Sequence, residues 1–425
     1  MRIFFSYPPI FSIPYKYLED QLADEAEAFA TRAGEGAVPR WDFILPRVIR
    51  AVASAIRVEW HYGNTVSSQL DIKPRCLIKA GGEVHDMKVD PKVRDIVARI
   101  SDGHFLTRHE ILSLLGITPH SPDAGFVMAS ADAINRAASK GKAEVHAQIG
   151  LNLSPCPNNC SFCAFAAQNK VFTENNELEG EDVVQLALKA EEEGANAIFV
   201  MATGDYPHGK FIEISGEVRK RLKPETVMIA NIGDFGYEDG KQLKDAGYTG
   251  IYHAVRMGEG RETKISPETR LHTIKVAREA GLLVGTCVEP IGPEHSIDEI
   301  AEKILIGREM KPCYSGAMRR ISIPGSDMEK YGMMSEYLMA FLVAVVRLAM
   351  GRDLVGNCTH EPNVLGATTG ANLFWAEVGT NPRDTEVDTS EGRGLDVRSC
   401  IGMFREADFD ILQGPSVIYS ENIGA

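Results

Sequence analysis

The chain has 425 residues, with 45 Lys or Arg against 59 Asp or Glu, a formal charge of −14. Its 44% hydrophobic and 24% charged residues describe a folded protein, which excludes wholesale disorder, and the length suits one large domain plus a smaller one. The acidic balance argues against nucleic acid and anionic membrane as partners, since both carry negative phosphates.

Residues 1–105 read as a mainly helical N-terminal extension, because Leu18 to Ala33 and Asp42 to Tyr62 space their apolar residues helically. The opening stretch is broken by prolines and lacks a clean cleavage-site pattern, so a cytoplasmic location is expected. Thr107 and Glu110 have capping-box spacing and predict a helix start. A second helix is expected from Pro122, with Ser121 as N-cap, to about Lys140. From His146 short apolar runs alternate with helices. The candidate strands are Ala147–Leu153, Ala197–Ala202, Val227–Ile232, Gly250–Val255, Leu282–Val288, Ala317–Ile323, Asp353–Cys358 and Asn372–Trp375. The intervening helices are marked by Asp182 with Gly194, by Ser266-Pro267 with Gly281, and by a capping box at Ser296 and Glu299. Tyr337 to Met350 is the longest apolar run. It contains Arg347 and falls short of the ~20 residues of a membrane span, so it reads as a buried helix. Eight strand–helix pairs predict an α/β fold, a (β/α)8 TIM-type barrel within 106–425 that ends in a C-terminal tail. An open doubly wound sheet is the alternative.

Eight cysteines in this length are too sparse for a disulfide scaffold. Three of them, Cys156, Cys160 and Cys163, form a C-x3-C-x2-C run directly after the first strand. Barrel enzymes build their active sites on that face. Three thiolates converging from one loop can ligate three irons of a [4Fe–4S] cluster and leave the fourth iron open. A structural zinc site would want a second C-x2-C pair, which the sequence lacks. The bland alternative is a structural loop that happens to hold three thiols.

With Phe162 just ahead of its last cysteine, this segment resembles the signature of the radical S-adenosylmethionine enzymes. The resemblance implies that the methionine end of S-adenosylmethionine chelates the open iron. It further implies that an electron from the cluster cleaves the sulfonium, and that a 5′-deoxyadenosyl radical abstracts hydrogen from the substrate. Phe162 would lie near the adenine. Residues 104–410 resemble more narrowly the biotin synthase branch, which includes hydrogenase-maturation and methylornithine-forming relatives. By that resemblance Thr203, Gly204 and Asp205 hold the cofactor's amino group and Ile291 packs on its adenine. Arg256 and Glu259 would meet its carboxylate and its positive charge, the alternative being a surface ion pair.

Cys287 and Arg320 stand where biotin synthase has ligands of a sulfur-donating auxiliary cluster. The two other ligand positions, on strands two and three, are not cysteine, so that cluster cannot be held in the same way. Cys358-Thr-His360-Glu361 ends strand seven. With Cys287, Glu289 and His295 it offers donors for a second iron–sulfur cluster or a metal, or groups to position substrate and move protons. Cys287, Arg320 and His360 are therefore the candidate catalytic residues. Inert buried thiols are the alternative, and Cys76, Cys313 and Cys400 read as structural. The expected protein is an oxygen-sensitive radical enzyme acting on a small molecule in cofactor or metabolite biosynthesis. A reductant such as flavodoxin or ferredoxin would serve it, and self-association is left open. Sulfur insertion from a second cluster and a non-enzymatic iron–sulfur scaffold or electron carrier are the competing readings.

Overall fold

The computed structural model describes residues 88–420. The helices expected at Leu18 to Ala33 and Asp42 to Tyr62, and Cys76, lie outside the described residues. Three helices lead in: α1 (Pro91–Ser101), α2 (Arg108–Leu115) and α3 (Pro122–Ser139). The barrel strands are β1 (Lys142–Gly150), β2 (Ala197–Met201), β3 (Val227–Asn231), β4 (Gly250–Tyr252), β5 (Leu283–Gly285 and Val288–Ile291), β6 (Tyr314–Arg319), β7 (Gly356–Thr359) and β8 (Leu373–Gly379). Each is followed by a helix: α4 (Gly180–Glu192), α5 (His208–Arg221), α6 (Tyr237–Asp245), α7 (Pro267–Glu279), α8 (Ile297–Glu309), α9 (Glu336–Ala349), α10 (Val364–Ala367) and α11 (Val397–Glu406).

All eight strands pair in parallel, and β1 joins β8 over seven residues from Glu144–Leu373 to Gly150–Gly379. The sheet closes through β5. Its first half pairs with β4 and its second half with β6. Across the break Cys313 N donates to Val284 O (2.9 Å) and Thr286 N to Tyr314 O (3.2 Å). The expected barrel is thus present, with all eight strands overlapping their expected positions. β1 starts earlier than expected because its residues Glu144, His146 and Gln148 alternate with the apolar Ala143, Val145, Ala147 and Ile149. The apolar set joins the main core that the surrounding helices also build, as the two-residue side-chain period requires.

The barrel interior forms its own cluster, which includes Phe199, Tyr252, Tyr314, Trp375 and Tyr419. The tail after α11 adds Asp410–Ile411 beside the start of β1 and then turns into the barrel's N-terminal end. There the buried Glu144 carboxylate accepts from Ser416 Oγ, Val417 N and Ile418 N. Gly250, Gly285 and Gly356 make room for this plug: a Cβ at any of them would come within 2.8 Å of Tyr419 or Ile418. No helix among the described residues is long and apolar enough to cross a membrane. α9, the apolar run, is buried along nearly its whole length, and its Arg347 donates to Gly351 O and Arg352 O.

The capping box at α2 is formed: Glu110 accepts from Thr107 N at 2.7 Å, and Thr107 Oγ1 accepts from Glu110 N. Burial works against the charge on Glu110, but the Thr107 amide, His104, the Thr107 hydroxyl and Arg99 outweigh it and lower its pKa to about 2. A depressed carboxyl pKa contributes stability above the unfolded value near 4.3 and loses it as pH falls toward the folded one. Glu110→Gln should therefore cost about 1 kcal/mol at pH 6. The gap between the two proteins' melting curves should narrow from pH 4 down to pH 2.5. A gap independent of pH would leave only hydrogen bonding, not charge, at this cap.

Candidate functional site

The loop between β1 and α4 carries the three clustered cysteines. It is held in shape by its own backbone: Cys156 N donates to Phe165 O (2.7 Å), Ala167 N to Cys156 O (3.2 Å) and Cys163 N to Cys160 O (2.9 Å). Asn169 Nδ2 reaches both Ser161 O and Cys163 O. Two neighbouring loops anchor it, through Ser161 N to Glu262 O and Ala164 N to Pro382 O, each at 2.8 Å. Burial pushes all three thiol pKa values up, with Arg256 opposing at Cys160. Thiolates enclosed in this way call for a cation as partner, and three sulfur donors on one short loop suit an iron–sulfur cluster with one open iron.

Cys156, Cys160, Phe162 and Cys163 line a cleft of about 1090 Å³ that opens at the C-terminal ends of the strands. Thr203, Gly204, Arg256, Arg320 and His360 line it too. Five strand ends thus bring nine of the thirteen expected site residues to one space. After β2 and β3 the lining holds Thr203, Asn231 and Ile232 beside Gly204 and Gly233. A Cβ at Gly204 would come 2.5 Å from Asn158 Nδ2, and one at Gly233 would overlap Gly204, so the glycines let these loops pack closely on one another. With Arg256 in the same cleft, the polar Thr203 and Asn231 suit an amino-acid-bearing cofactor such as S-adenosylmethionine.

The other four expected residues sit differently. Asp205 is exposed on the rim, 3.4 Å from Ser154 Oγ. Ile291 is fully buried and absent from the lining. Cys287 lies beneath the cleft, 4% exposed. Glu259 is enclosed behind the wall and accepts from Arg256 N (3.1 Å), Thr263 Oγ1 (2.7 Å) and Arg270 Nε (3.1 Å). Its alternative as a surface ion pair fails, because the pair is buried.

Residues the sequence left unremarked brace the site. Arg270 Nη1 donates to Asp234 Oδ2 at 2.9 Å, and Asp234 also meets His253 and Thr273. Burial raises the Asp234 pKa, but His253, Arg270 and Thr273 prevail and hold it well below the usual carboxylate range. Arg256 itself lies 3.3 Å from Glu289 Oε1. Burial disfavours its charge, yet Glu289 and Glu259 raise its pKa above the ordinary guanidinium value. Across the cleft Arg383 pairs with Glu377, which also accepts from Gln148. The Asp234–Arg270 and Arg256–Glu289 pairs join residues of different elements and carry no local pattern, whereas Glu377 and Arg383 lie six residues apart, on β8 and just after it.

Arg320 forks onto Glu294, with Nε at 2.8 Å and Nη2 at 2.9 Å, while its buried Nη1 has no partner among the described residues. Glu289 and Glu361 do not complete a shell around Cys358: Glu289 faces Arg256, and Glu361 is taken by Arg319 and Arg393. His295 turns back to accept from Gly292 N. Cys287 and Cys358, however, do meet, with their sulfurs 3.9 Å apart. A ring nitrogen of His360 lies within 4.8 Å of both. His360 stacks on Trp375 at 4.1 Å, and burial, then Arg383 and Arg256, hold its pKa well below the ordinary imidazole value. Cys313 sits at the opposite end beside Val284, and Cys400 on α11 packs against Trp375 O.

A family model for the radical SAM superfamily matches residues 155–305, from the cysteine loop into α8. The biotin synthase of Clostridium botulinum is 25% identical over 296 residues, covering 65% of this chain and 91% of its own. That of Geotalea uraniireducens is 26% identical over 218 residues, covering 49% of this chain and 66% of its own. Among solved structures, the FeFe-hydrogenase maturase HydG from Carboxydothermus hydrogenoformans shares the fold. It has a TM-score of 0.65 at 17% identity, with 78% of this chain and 81% of that one covered. Methylornithine synthase PylB does so with a TM-score of 0.63 at 15% identity, over 76% and 98% of the two chains. Cysteine loop, closed barrel, family match and biotin synthase homologues agree, and residues 155–305 of this chain carry a radical SAM domain.

Proposed function

We propose that this enzyme cleaves S-adenosylmethionine reductively and takes a hydrogen atom from a small-molecule substrate in cofactor or metabolite biosynthesis. The observation that carries the reading is the single cleft in which Cys156, Cys160 and Cys163 face Thr203, Gly204 and Arg256. When bound, the cluster supplies one electron to the sulfonium, so that methionine leaves and the 5′-deoxyadenosyl radical takes a hydrogen atom from substrate. The three thiolates hold the cluster on a loop braced from two sides. Arg256, fixed by Glu289, is placed to meet a carboxylate. Phe162 and the polar Thr203 and Asn231 accept the nucleoside and amino ends. The unpartnered Arg320 Nη1 and His360 border the space left for substrate. A cytoplasmic electron carrier of the flavodoxin or ferredoxin kind would supply the electron.

Anaerobic reconstitution followed by reduction in the presence of S-adenosylmethionine tests this. About four irons per chain from one [4Fe–4S] cluster and release of 5′-deoxyadenosine are expected. A cluster without cleavage would instead favour an electron carrier. Arg256→Gln should weaken S-adenosylmethionine binding by roughly 10–100-fold, the loss of a charge-assisted contact, with the cluster spectrum unchanged. Equilibrium dialysis reads this directly, and unchanged binding would confine Arg256 to its pair with Glu289.

The second reading is sulfur insertion from a second iron–sulfur cluster, and the juxtaposed Cys287 and Cys358 favour it. Against it stand the missing cysteines on β2 and β3 and the engagement of Arg320 by Glu294.

A further inference from the structure

Beneath the cleft, inside the barrel, three ligating side chains converge from β5 and β7. Cys287 falls in the break of β5, between Gly285 and Val288, and its side chain belongs to the cluster that fills the barrel interior. Cys358 lies on β7, and His360 follows two residues later at its end. All three are buried, and Cys358 has no exposure at all. We infer that Cys287, Cys358 and His360 form a binding site for a single d-block metal ion, Zn²⁺ or Fe²⁺, separate from the three-cysteine loop.

The geometry favours one ion over the other states of such a cluster. A disulfide would need the sulfurs at about 2.05 Å, but they stand 3.9 Å apart. A tetrahedral ion with metal–sulfur bonds of about 2.3 Å sets two sulfurs about 3.8 Å from each other. The imidazole is ready to serve: Nε2 of His360 is buried and has no hydrogen-bond partner among the described residues. Its ring is fixed between Trp375 and Tyr252. An orphaned ring nitrogen in a protein interior is costly, and a metal bond would relieve that cost.

Donor number argues against a polynuclear centre. An all-protein [2Fe–2S] centre takes four ligands. No fourth His, Cys, Asp or Glu among the described residues joins the trio. Space argues the same way, since a Cβ at Gly316 would already overlap the Cys358 sulfur. Charge also fits. Two thiolates and a neutral imidazole exactly cancel a divalent ion, with both thiol protons released on binding, so the loaded site adds no net charge to the interior. Soft sulfur with imidazole selects zinc or ferrous iron over magnesium or calcium. One coordination position remains for water or for a substrate heteroatom entering from the cleft, which His360 borders.

The test uses the full chain with its [4Fe–4S] cluster already in place, so that added metal cannot occupy the cysteine loop. Zn²⁺ is titrated anaerobically, excess is removed, and retained zinc is counted by elemental analysis and examined by zinc X-ray absorption. One retained equivalent with two sulfur neighbours and at least one nitrogen neighbour is expected. Cys358→Ala should lose that equivalent, and His360→Gln should lose the nitrogen neighbour or weaken retention at least 10-fold. The [4Fe–4S] absorption should remain in both, which also certifies folding; if Cys358→Ala loses it, Cys287→Ser takes its place. Absence of retained zinc, retention unchanged in the variants, an oxygen-only shell, or extra sulfide accompanying extra iron would each overturn the single-ion site. Formation of 5′-deoxyadenosine is read separately, so failure of this site and failure of the proposed reaction are distinguishable.

Discussion

Replacing Cys156, Cys160 and Cys163 together by alanine will abolish the cluster's visible absorption and reduce 5′-deoxyadenosine formation to background. The effect is total because the three thiols are the only cysteines on that loop, and an iron–sulfur cluster is held by its thiolates. The loop itself should survive. Its shape rests on backbone bonds at Cys156, Cys160 and Cys163 and on Asn169, none of which uses a sulfur atom. Circular dichroism of the triple variant should match the parent while iron content collapses. Cleavage activity that persisted in a folded triple variant would sink the assignment of this loop.

Arg270→Met will be the most destabilising single change near the cleft, at about 3–5 kcal/mol, or roughly 5 °C in melting temperature. The guanidinium is 5% exposed and serves two carboxylates at once, Glu259 through Nε and Asp234 through Nη1. Its removal leaves Glu259, whose side chain has no exposure, as an unpaired buried charge. Arg270→Lys should recover only part of the loss, since a single ammonium cannot fork between the two acids. The depressed Asp234 pKa makes its contribution one that is present at neutral pH and lost as the pH falls below the ordinary carboxylate range. Acid denaturation of Arg270→Met should accordingly begin at higher pH than in the parent. A melting temperature unchanged by Arg270→Met would mean that the two acids find other partners.

The barrel was legible because its signals are local. Caps at Thr107, Ser121, Ser266 and Ser296 mark helix starts by residue type, and each is a formed cap in the structure. Apolar runs mark strands that helices cover from outside. The polar inward positions of β1 hid its first half, since Glu144 and His146 make sense only once the tail is present to meet them. The cysteine loop could be read from spacing alone. Arg270 and Asp234 could not, because they meet through the folded barrel and not through sequence proximity, and Glu377 and Arg383, though six residues apart, have no motif that marks them as a pair. Cys287 and Cys358 fall between these cases. Their places at strand ends were readable, and their separation depends on the break in β5, which no local pattern announces.

The plug at the floor of the barrel bears on how the protein is made. Residues 416–418 meet Glu144 across 272 to 274 positions of chain, so the stopper leaves the ribosome long after the staves it seals. Until then the Glu144 carboxylate lacks the three tail donors that hold it in the folded protein. Ile418 and Tyr419 then join the cluster of side chains that fills the barrel interior. A chain cut before Ser416 would keep every residue of the cleft and still be a vessel without its stopper.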